Sequence, residues 1–213
     1  MNIRITKGLK ENGIVVGNKY DKYNTRNPIA KYLLDGFKSA LSDLVTQASP
    51  SSIHEIGCGE GFWVIYWNNQ GVLTRGSDFS SQAIKLAQEN GVTNGLPASI
   101  FDVRNIYELD REKDRADLII CCEVLEHLEH PEEGLKSLQK VVDKHLILSV
   151  PREPMWRILN LARGKYITRL GNTPGHIQNR SKSAFIQLVS KYFEIIEVRT
   201  PIPWTMVLCQ QRN

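Results

Sequence analysis

Apolar positions between residues 51 and 150 alternate between short continuous runs and helical spacing. Short apolar runs bounded by turn residues indicate strands, and apolar residues three or four positions apart indicate helices packed against them. The elements predicted in this way are strands 51–57, 72–78, 98–102, 116–122 and 144–150 and helices 60–69, 80–90 and 132–140. This alternation favours a parallel sheet covered by helices on both faces.

The flanking regions follow a different pattern. Asn27-Pro28 opens a predicted helix with Pro at its first position. Its apolar residues at helical spacing are Ile29, Tyr32, Leu33, Phe37, Leu41 and Leu44. At the other end, a helix (181–191) and two strands (193–199 and 204–210) joined by a tight T-P-I-P-W link are predicted to close the chain.

The 213 residues suffice for one sizeable core, so we expect a single domain over residues 1–213. Its predicted parts are an N-terminal cap (1–49), a core (50–151), an insertion with a short basic helix (152–180) and a closing helix and hairpin (181–213). The sequence leaves open whether the chain is a monomer or a homodimer.

Composition narrows the class of protein. The net charge of +4 is mildly basic and lacks the dense basic stripes of a dedicated nucleic-acid binder, so a nucleic-acid partner is not expected. The four cysteines form no C-x-x-C pair and are predicted to be small buried hydrophobes. The N-terminus lacks the apolar stretch of a signal peptide and no apolar run is long enough to span a bilayer, so a cytoplasmic location is expected.

Residues 53–61, I-H-E-I-G-C-G-E-G, place three glycines between a predicted strand and a predicted helix. Such a loop lets the backbone approach a ligand closely, at the strand end where open α/β sheets bind ligands. Asp78 ends the second strand about 20 residues later, where a carboxylate can bind ribose hydroxyls. The loop lacks the P-loop pattern, and Glu60 would repel a pyrophosphate. A nucleoside ligand without an adjacent pyrophosphate, such as S-adenosylmethionine, fits these features.

Four motifs in succession carry a family resemblance: H-E-I-G-C-G-E-G, G-S-D-F-S, S-I-F-D-V and A-D-L-I-I-C-C-E-V-L-E-H-L-E-H-P. Together they resemble class I S-adenosylmethionine-dependent methyltransferases, and most closely the small-molecule branch of ubiquinone and menaquinone biosynthesis. The resemblance covers about residues 50–151 strongly. It implies an α/β fold with a Rossmann-like, doubly wound, seven-stranded and mostly parallel sheet that ends in a reversed hairpin.

The resemblance also implies a cofactor site for S-adenosylmethionine, with S-adenosylhomocysteine as product. Asp78 would bind the ribose, Phe79 and Val103 would lie beside the adenine, and Asp102 would accept from its amino group. An alternative for Asp102 is a helix N-cap. The residues implied around the methionine moiety and the methyl group are Glu55, Gly57, Cys58, Gly59, Gly61, Glu123 and Val124.

Transfer to a hydroxyl needs a proton acceptor, and two histidines are candidates. His127 follows the fourth strand of the core, and His176 ends the insertion. His127 could instead only cap or hydrogen-bond the backbone of its loop, and His176 could be only a turn residue. Glu123, Glu126, His127 and a later histidine also resemble the metal ligands of RNA 3′-terminal 2′-O-methyltransferases, but metal-free relatives share E-V-L-E-H and no metal is expected.

The acceptor site is expected in the variable parts. In the insertion, Arg152, Trp156, Arg163 and Tyr166 are candidates to hold an acidic or apolar acceptor. The same basic helix could rest on a membrane surface and receive a lipid-linked substrate. Before the first helix, Tyr23 and Arg26 are candidates to contact the cofactor's carboxylate or the acceptor.

The sequence therefore predicts a methyltransferase that transfers the methyl group to an oxygen atom of a small or lipid-linked metabolite. The alternatives are a nucleic-acid methyltransferase and a non-catalytic cofactor-binding scaffold. The N-P-P-[YF]-type loop of adenine N-methylation is absent after the fourth strand, and the glycine loop and Asp78 are intact.

Overall fold

Strands and helices alternate through most of the chain in the computed structural model, which describes residues 1, 3–11, 14–18 and 20–212. In chain order the elements are β1 (Lys10–Glu11), β2 (Ile14–Val15), α1 (Pro28–Ala48), β3 (Ser52–Ile56), α2 (Phe62–Asn69), β4 (Leu73–Asp78), α3 (Ser81–Thr93), β5 (Phe101–Val103), α4 (Arg111–Asp114), β6 (Ala116–Cys122), α5 (Pro131–Val141), β7 (Val142–Pro151), α6 (Met155–Ala162), α7 (Lys182–Val189), β8 (Phe193–Arg199) and β9 (Trp204–Gln211).

Seven strands form one sheet in the order β5-β4-β3-β6-β7-β9-β8. The first five strands along this order are parallel, and β9 runs antiparallel to both β7 and β8. The predicted fold class, a mostly parallel Rossmann-like sheet with a reversed C-terminal hairpin, is confirmed. Chain order reverses at β3, whose neighbours are β4 and β6, so a crevice for a ligand is expected beyond the carboxyl ends of these strands.

Helices cover both faces of the sheet because each presents an apolar stripe to it. The side chain of Asn27 caps α1 by accepting from the backbone N–H groups of Ile29 and Ala30. On this face, α1 and α2 pack over strand residues such as Ile53 and Leu118. The opposite face is covered mainly by α5 and α7, whose buried side chains include Leu135, Leu138, Phe185 and Leu188.

Most predicted elements are confirmed within a few residues of their bounds, and three differences stand out. Residues 98–100, predicted as the start of a strand, form a 3-10 turn, and β5 covers only Phe101–Val103. The short helix α4 and the hairpin of β1 and β2 lie where no element was predicted. α4 contains no apolar residue and each strand of the hairpin is only two residues long, so periodicity gives little signal there.

The cysteines behave as predicted. Cys58, Cys121 and Cys209 are buried, Cys122 is half-buried, and all four are free thiols. Among the described residues, we find no helix with the length and apolar character needed to cross a bilayer.

Candidate active site

The glycine loop between β3 and α2 adopts a conformation that requires glycine. Gly57 has a φ of 80°, in the left-handed region that side chains disfavour. A Cβ atom at Gly57 would also lie 2.3 Å from Cγ2 of Val124, which follows β6. The loop therefore lies directly against the end of the neighbouring strand.

Asp78 connects the end of β4 to this loop. Its carboxylate is 9% exposed and accepts hydrogen bonds from the backbone N–H groups of Gly59 (3.0 Å) and Ser80 (2.9 Å). Burial raises the pKa of Asp78 above its usual value, and these two donors oppose that shift by favouring the ionised form. An acceptor group is thus fixed at the point where the chain order of the sheet reverses.

Next to Asp78, three exposed side chains lie on or beside the edge strand β5. β4 and β5 pair in parallel with Ser77 opposite Asp102 and Asp78 opposite Val103. Phe79 and Val103 are each 46% exposed, although large apolar side chains are usually covered. Asp102 lies in β5 and forms an exposed ion pair with Arg104 at 3.6 Å. The alternative of a helix cap at Asp102 is wrong, because Asn105 caps the next turn.

Two carboxyl groups lie at the ends of β3 and β6, where Glu55 is buried and Glu123 is half-buried. Burial raises the pKa of Glu55 to about 8 and that of Glu123 to about 7, while the positive charge of Lys22 opposes both shifts. Oε2 of Glu55 has no hydrogen-bond partner among the described residues. Glu123 is held by Ser149, which donates to Oε1 at 3.1 Å, and by Trp204, which donates from Nε1 to Oε2 at 2.7 Å.

The structure brings together the two histidines that the sequence offered as separate candidates. The rings of His127 and His176 lie 4.9 Å apart in an edge-to-face arrangement, and Nδ1 of His127 lies 2.9 Å from the carbonyl oxygen of Gly175. Burial lowers the pKa of both rings, and the neighbouring His127 contributes to lowering that of His176 to about 3. Both imidazoles are therefore neutral near pH 7.

The buried carboxylate of Glu126 adjoins this pair. The ligand atoms of Glu126, His127 and His176 all lie within 4.8 Å of one another. The sequence led to no expectation of a metal at the site, because the spacing of these residues does not reveal that the insertion returns to the turn after β6.

The four candidates in the insertion separate into different environments. Trp156 reaches the histidine pair: its ring stacks on His176 with centroids 5.8 Å apart, and its Nε1 donates to Thr173. Arg152 has a buried Nε without a described partner and donates from Nη2 to the sulfur of Met155. Arg163 is exposed and donates to the carbonyl oxygen of Leu159.

Tyr166, the fourth candidate in the insertion, is half-buried at the start of the 3-10 turn Ile167–Arg169. Its φ of 55° is uncommon for a residue other than glycine. Of the four candidates, Trp156 is the one that the structure places beside the predicted catalytic residues.

The segment before α1 lies beside the glycine loop. The ring of Tyr23 stacks on Phe62, the first residue of α2, with centroids 3.4 Å apart and planes within 5°. Arg26 is exposed. The ammonium group of Lys165, in the insertion, lies 5.4 Å from the ring centroid of Tyr20. The N-terminal segment and the insertion therefore meet on the same side of the sheet.

Sequence reasoning missed the role of Glu60. Its Oε1 accepts hydrogen bonds from the backbone N–H groups of Thr6 (3.1 Å) and Asn18 (2.6 Å), and its Oε2 accepts from the side-chain amide of Asn18. Glu60 thus attaches the N-terminal hairpin to the glycine loop. The roles of Lys22 and Trp204 were also missed. In all three cases the partner residues are distant in sequence, so no local pattern reveals the contact.

Comparisons with known proteins agree on one family. Residues 29–198 match the family described as Methyltransferase domain. The ubiquinone biosynthesis O-methyltransferase of Rickettsia bellii (strain OSU 85-389) is 27% identical over 175 residues, which cover 80% of this chain and 68% of that protein. The mitochondrial ubiquinone biosynthesis O-methyltransferase of Schizosaccharomyces pombe is 29% identical over 126 residues, covering 57% and 46%.

A solved structure shares the fold. The magnesium protoporphyrin IX methyltransferase from Synechocystis PCC 6803, crystallised with bound SAH, superposes with a TM-score of 0.66 at 19% identity, over 91% of this chain and 94% of that chain.

Proposed function

We propose that this chain, which belongs to the methyltransferase domain family and is an S-adenosylmethionine-dependent methyltransferase, transfers the methyl group to an oxygen atom of a small or lipid-linked metabolite. When bound, the cofactor supplies a methyl group on a positively charged sulfur. The observation that carries the proposal is the buried carboxylate of Asp78, fixed by the glycine loop where the sheet reverses its chain order.

The residues at this end of the sheet fit the nucleoside part of the cofactor. An ionised carboxylate has about four acceptor positions, and backbone N–H groups take two of those on Asp78. The remaining two would accept from the ribose hydroxyls. Phe79 and Val103, both unusually exposed, would be covered by the adenine, and the exposed carboxylate of Asp102 would accept from its amino group.

The methionine end of the cofactor would lie along the loop and the carboxyl groups of Glu55 and Glu123. Glu55 and Glu123 have pKa values of about 8 and 7, so a nearby cation would favour their ionised forms. The loop residues proposed to line this wall are Gly57, Cys58, Gly59 and Gly61, with Val124 opposite. Tyr23, in the N-terminal segment, would cover this wall. Arg26 would lie near the cofactor's carboxylate or the acceptor.

An aromatic wall beside the histidines supports an apolar or aromatic acceptor. Trp156 lies 5.8 Å from both His176 and Trp204, measured between ring centroids. Rings in this arrangement can cover the body of an acceptor and exclude water from its reacting oxygen. Transfer to oxygen is also what the ubiquinone biosynthesis relatives are named for.

The outer surface of the insertion supports a lipid-linked acceptor. Its exposed large apolar side chains are Ile158 (58%), Leu161 (40%), Ile167 (64%) and Leu170 (68%). The exposed basic residues Arg163, Lys165 and Arg169 lie among them in sequence. Apolar and basic groups on one short segment suit the surface of an anionic bilayer. A cytoplasmic location of the protein remains a prediction.

The proton of an acceptor hydroxyl must leave during transfer. A neutral imidazole can accept a proton or bind a metal ion, and both His127 and His176 are neutral near pH 7. The catalytic role of these two histidines remains a prediction. Arg152, Arg163 and Tyr166 are proposed to contact the acceptor at the rim of the insertion, with Trp156 inside.

The proposal is tested by incubating the chain with methyl-labelled S-adenosylmethionine and a panel of phenols, prenylated phenols, amines and short RNA. We expect label in the phenols, with prenylated forms preferred. Label only in RNA or only in amines would overturn the proposed acceptor class.

Calorimetric titration of the cofactor into wild type, Asp78→Ala and the exposed control Asp35→Ala tests the site separately. Loss of two acceptor positions for ribose is expected to weaken binding at least tenfold in Asp78→Ala alone. Equal affinity in all three proteins would contradict the proposed role of Asp78.

A further inference from the structure

We propose that Glu11 is a positioning residue for the cofactor site, because it holds the N-terminal hairpin against the two turns that fix the carboxylate of Asp78. The hairpin consists of β1 and β2, which pair antiparallel with Glu11 opposite Ile14. Glu11 lies 69 positions before Ser80, its partner at the site, and in none of the four motifs of the family. This role rests on the proposed function, in which Asp78 binds the ribose.

Two backbone N–H groups hold the carboxylate of Asp78. Gly59, in the glycine loop after β3, donates to Oδ2 at 3.0 Å, and Ser80, after β4, donates to Oδ1 at 2.9 Å. Each oxygen therefore has a backbone donor, and the orientation of the carboxylate depends on the positions of these two turns. A displacement of either turn would move the acceptor positions that remain for the ribose.

Glu11 binds the turn after β4. Its Oε2 accepts a hydrogen bond from the hydroxyl of Ser80 at 2.5 Å, and its Oε1 accepts one from the hydroxyl of Ser81 at 2.9 Å. The backbone N–H group of Gln82 also donates to Oε2, at 3.4 Å. The two hydroxyls lower the pKa of Glu11 below its usual value, so the carboxylate is ionised near pH 7. A negative charge at the start of α3 is also favoured by the helix dipole.

Ser80 connects Glu11 to Asp78 within a single residue. Its hydroxyl donates to Glu11 and accepts from the backbone N–H group of Ala83 as the N-cap of α3, while its own backbone N–H group donates to Asp78. Ser80 is fully buried, so its hydroxyl depends on protein groups for an acceptor. The position of the turn after β4 therefore depends on the presence of Glu11.

The segment after β2 lies against the other turn. A Cβ atom at Gly59 would lie 3.9 Å from Cα of Gly17, so the two backbones pass close to each other. Gly17 has a φ of 61°, and a Cβ atom there would collide with Oε1 of Glu60. The same oxygen accepts from the backbone N–H group of Asn18 at 2.6 Å. The N-terminal segment thus reaches both of the turns that hold Asp78.

These contacts orient Asp78 before the cofactor binds. A site that is already fixed loses less conformational freedom on binding, and its affinity is correspondingly higher. Removal of Glu11 leaves the backbone bond from Ser80 to Asp78 possible but no longer ties this turn to the hairpin. We therefore expect weaker cofactor binding without Glu11, although Glu11 itself need not touch the cofactor.

The test is calorimetric titration of the full chain with S-adenosylhomocysteine in wild type, Glu11→Ala and Glu89→Ala. Glu89 is a matched control, because it also joins α3 to the N-terminal segment, through an exposed ion pair with Arg4 at 2.8 Å. We expect binding about tenfold weaker in Glu11→Ala, which loses hydrogen bonds to a charged group, and less than about twofold weaker in Glu89→Ala. Equal affinity of wild type and Glu11→Ala would overturn the proposed role.

A double-mutant cycle with Asp78→Ala separates positioning of Asp78 from a general effect on the fold. If Glu11 acts through Asp78, Glu11→Ala should change the affinity by less than about twofold in the Asp78→Ala background. An equal loss in both backgrounds would show that Glu11 acts on the cofactor site by another route.

Hydrogen exchange in the cofactor-free chain provides a measurement that does not depend on cofactor binding. The amides of Gly59 and Ser80, the two donors to Asp78, should exchange about tenfold faster in Glu11→Ala than in wild type or Glu89→Ala. Unchanged exchange at both amides would overturn the role of Glu11 alone. Lack of binding by wild type would instead overturn the proposed cofactor site.

Discussion

The indole of Trp204 donates a hydrogen bond from Nε1 to Oε2 of Glu123 at 2.7 Å and so connects the start of β9 to the end of β6. The two residues are 81 positions apart in sequence. Glu123 has a φ of 60°, uncommon for a residue with a side chain, and its other oxygen accepts from Ser149. Strained conformations of this kind concentrate at functional sites, where surrounding contacts maintain them.

Replacing Trp204 by Phe is expected to raise the pKa of Glu123 above its present value of about 7. The donor that stabilises the ionised carboxylate is lost while most of the ring remains, which corresponds to a rise of about one pH unit. Carbon-13 NMR titration of labelled glutamate side chains measures the shift. The signal of Glu123 is assigned by its absence from the spectrum of Glu123→Gln. Ser149→Ala should move the pKa in the same direction, and an unchanged or lowered value in Trp204→Phe would contradict the prediction.

Replacing Glu60 by Ala is expected to release the N-terminal hairpin from the glycine loop. The backbone N–H groups of Thr6 and Asn18 would lose their shared acceptor, and bonds to a charged group are worth about 1.5–3 kcal/mol. Hydrogen exchange at these two amides should accelerate roughly 10- to 100-fold.

The control for this experiment is Glu89→Ala, which removes an exposed ion pair between Glu89 and Arg4. Exposed pairs contribute little, so exchange in the hairpin should change less than about threefold. Similar acceleration in both variants would show that Glu60 has no special role in holding the hairpin.

Replacing Gly57 by Ala is expected to destabilise the protein by two separable effects. The new Cβ would lie 2.3 Å from Cγ2 of Val124, and the φ of 80° would be strained for alanine. Overpacking costs about 1–3 kcal/mol and left-handed backbone about 1–2 kcal/mol.

A double-mutant cycle with Val124→Ala separates these two contributions. In the Val124→Ala background, the Gly57→Ala change should cost only the backbone contribution, about 1–2 kcal/mol. Urea unfolding of the four proteins measures each free energy. Equal costs of Gly57→Ala in the two backgrounds would show that contact with Val124 does not constrain the loop.

Buried His54 is expected to make stability depend on pH. Its Nδ1 lies 2.7 Å from the carbonyl oxygen of Asp114 and its Nε2 lies 2.8 Å from Oγ of Ser77. Burial lowers its pKa from 6.5 to about 4, so the unfolded chain binds the proton more readily between these values. The contribution of His54 is complete above pH 6.5 and is lost as the pH falls towards 4.

Urea unfolding at pH 7 and 4.5 measures this contribution as a difference between wild type and His54→Gln. Between these two pH values, the free energy of unfolding of wild type should fall by about 2–3 kcal/mol more than that of His54→Gln. His130→Gln, at the exposed position before α5, is the control and should follow wild type. A parallel decline of wild type and His54→Gln would contradict a neutral, buried His54.

The sequence determined the order of the sheet elements and the residues that end them. Continuous apolar runs such as the one in β6 located the central strands, because a strand buried on both faces is largely apolar, and the other strands from β3 to β9 were predicted to within a few residues. The carboxyl end of each parallel strand lies at one edge of the sheet. Asp78 could therefore be assigned to a ligand site at this edge from its position, whereas the family resemblance implied the same site for Glu55, Asp102 and Glu123.

Only the tertiary structure decided which side chains meet across long sequence separations. The approach of His176 to His127, the bond from Trp204 to Glu123 and the attachment of Asn18 to Glu60 each join segments more than 40 positions apart. Local periodicity reports which face of an element is buried, but not where an irregular segment returns to the core. The residues proposed to bind the cofactor were therefore predictable from the sequence and the family resemblance, whereas the proposed acceptor end depends on how the insertion and the N-terminal hairpin pack on the sheet.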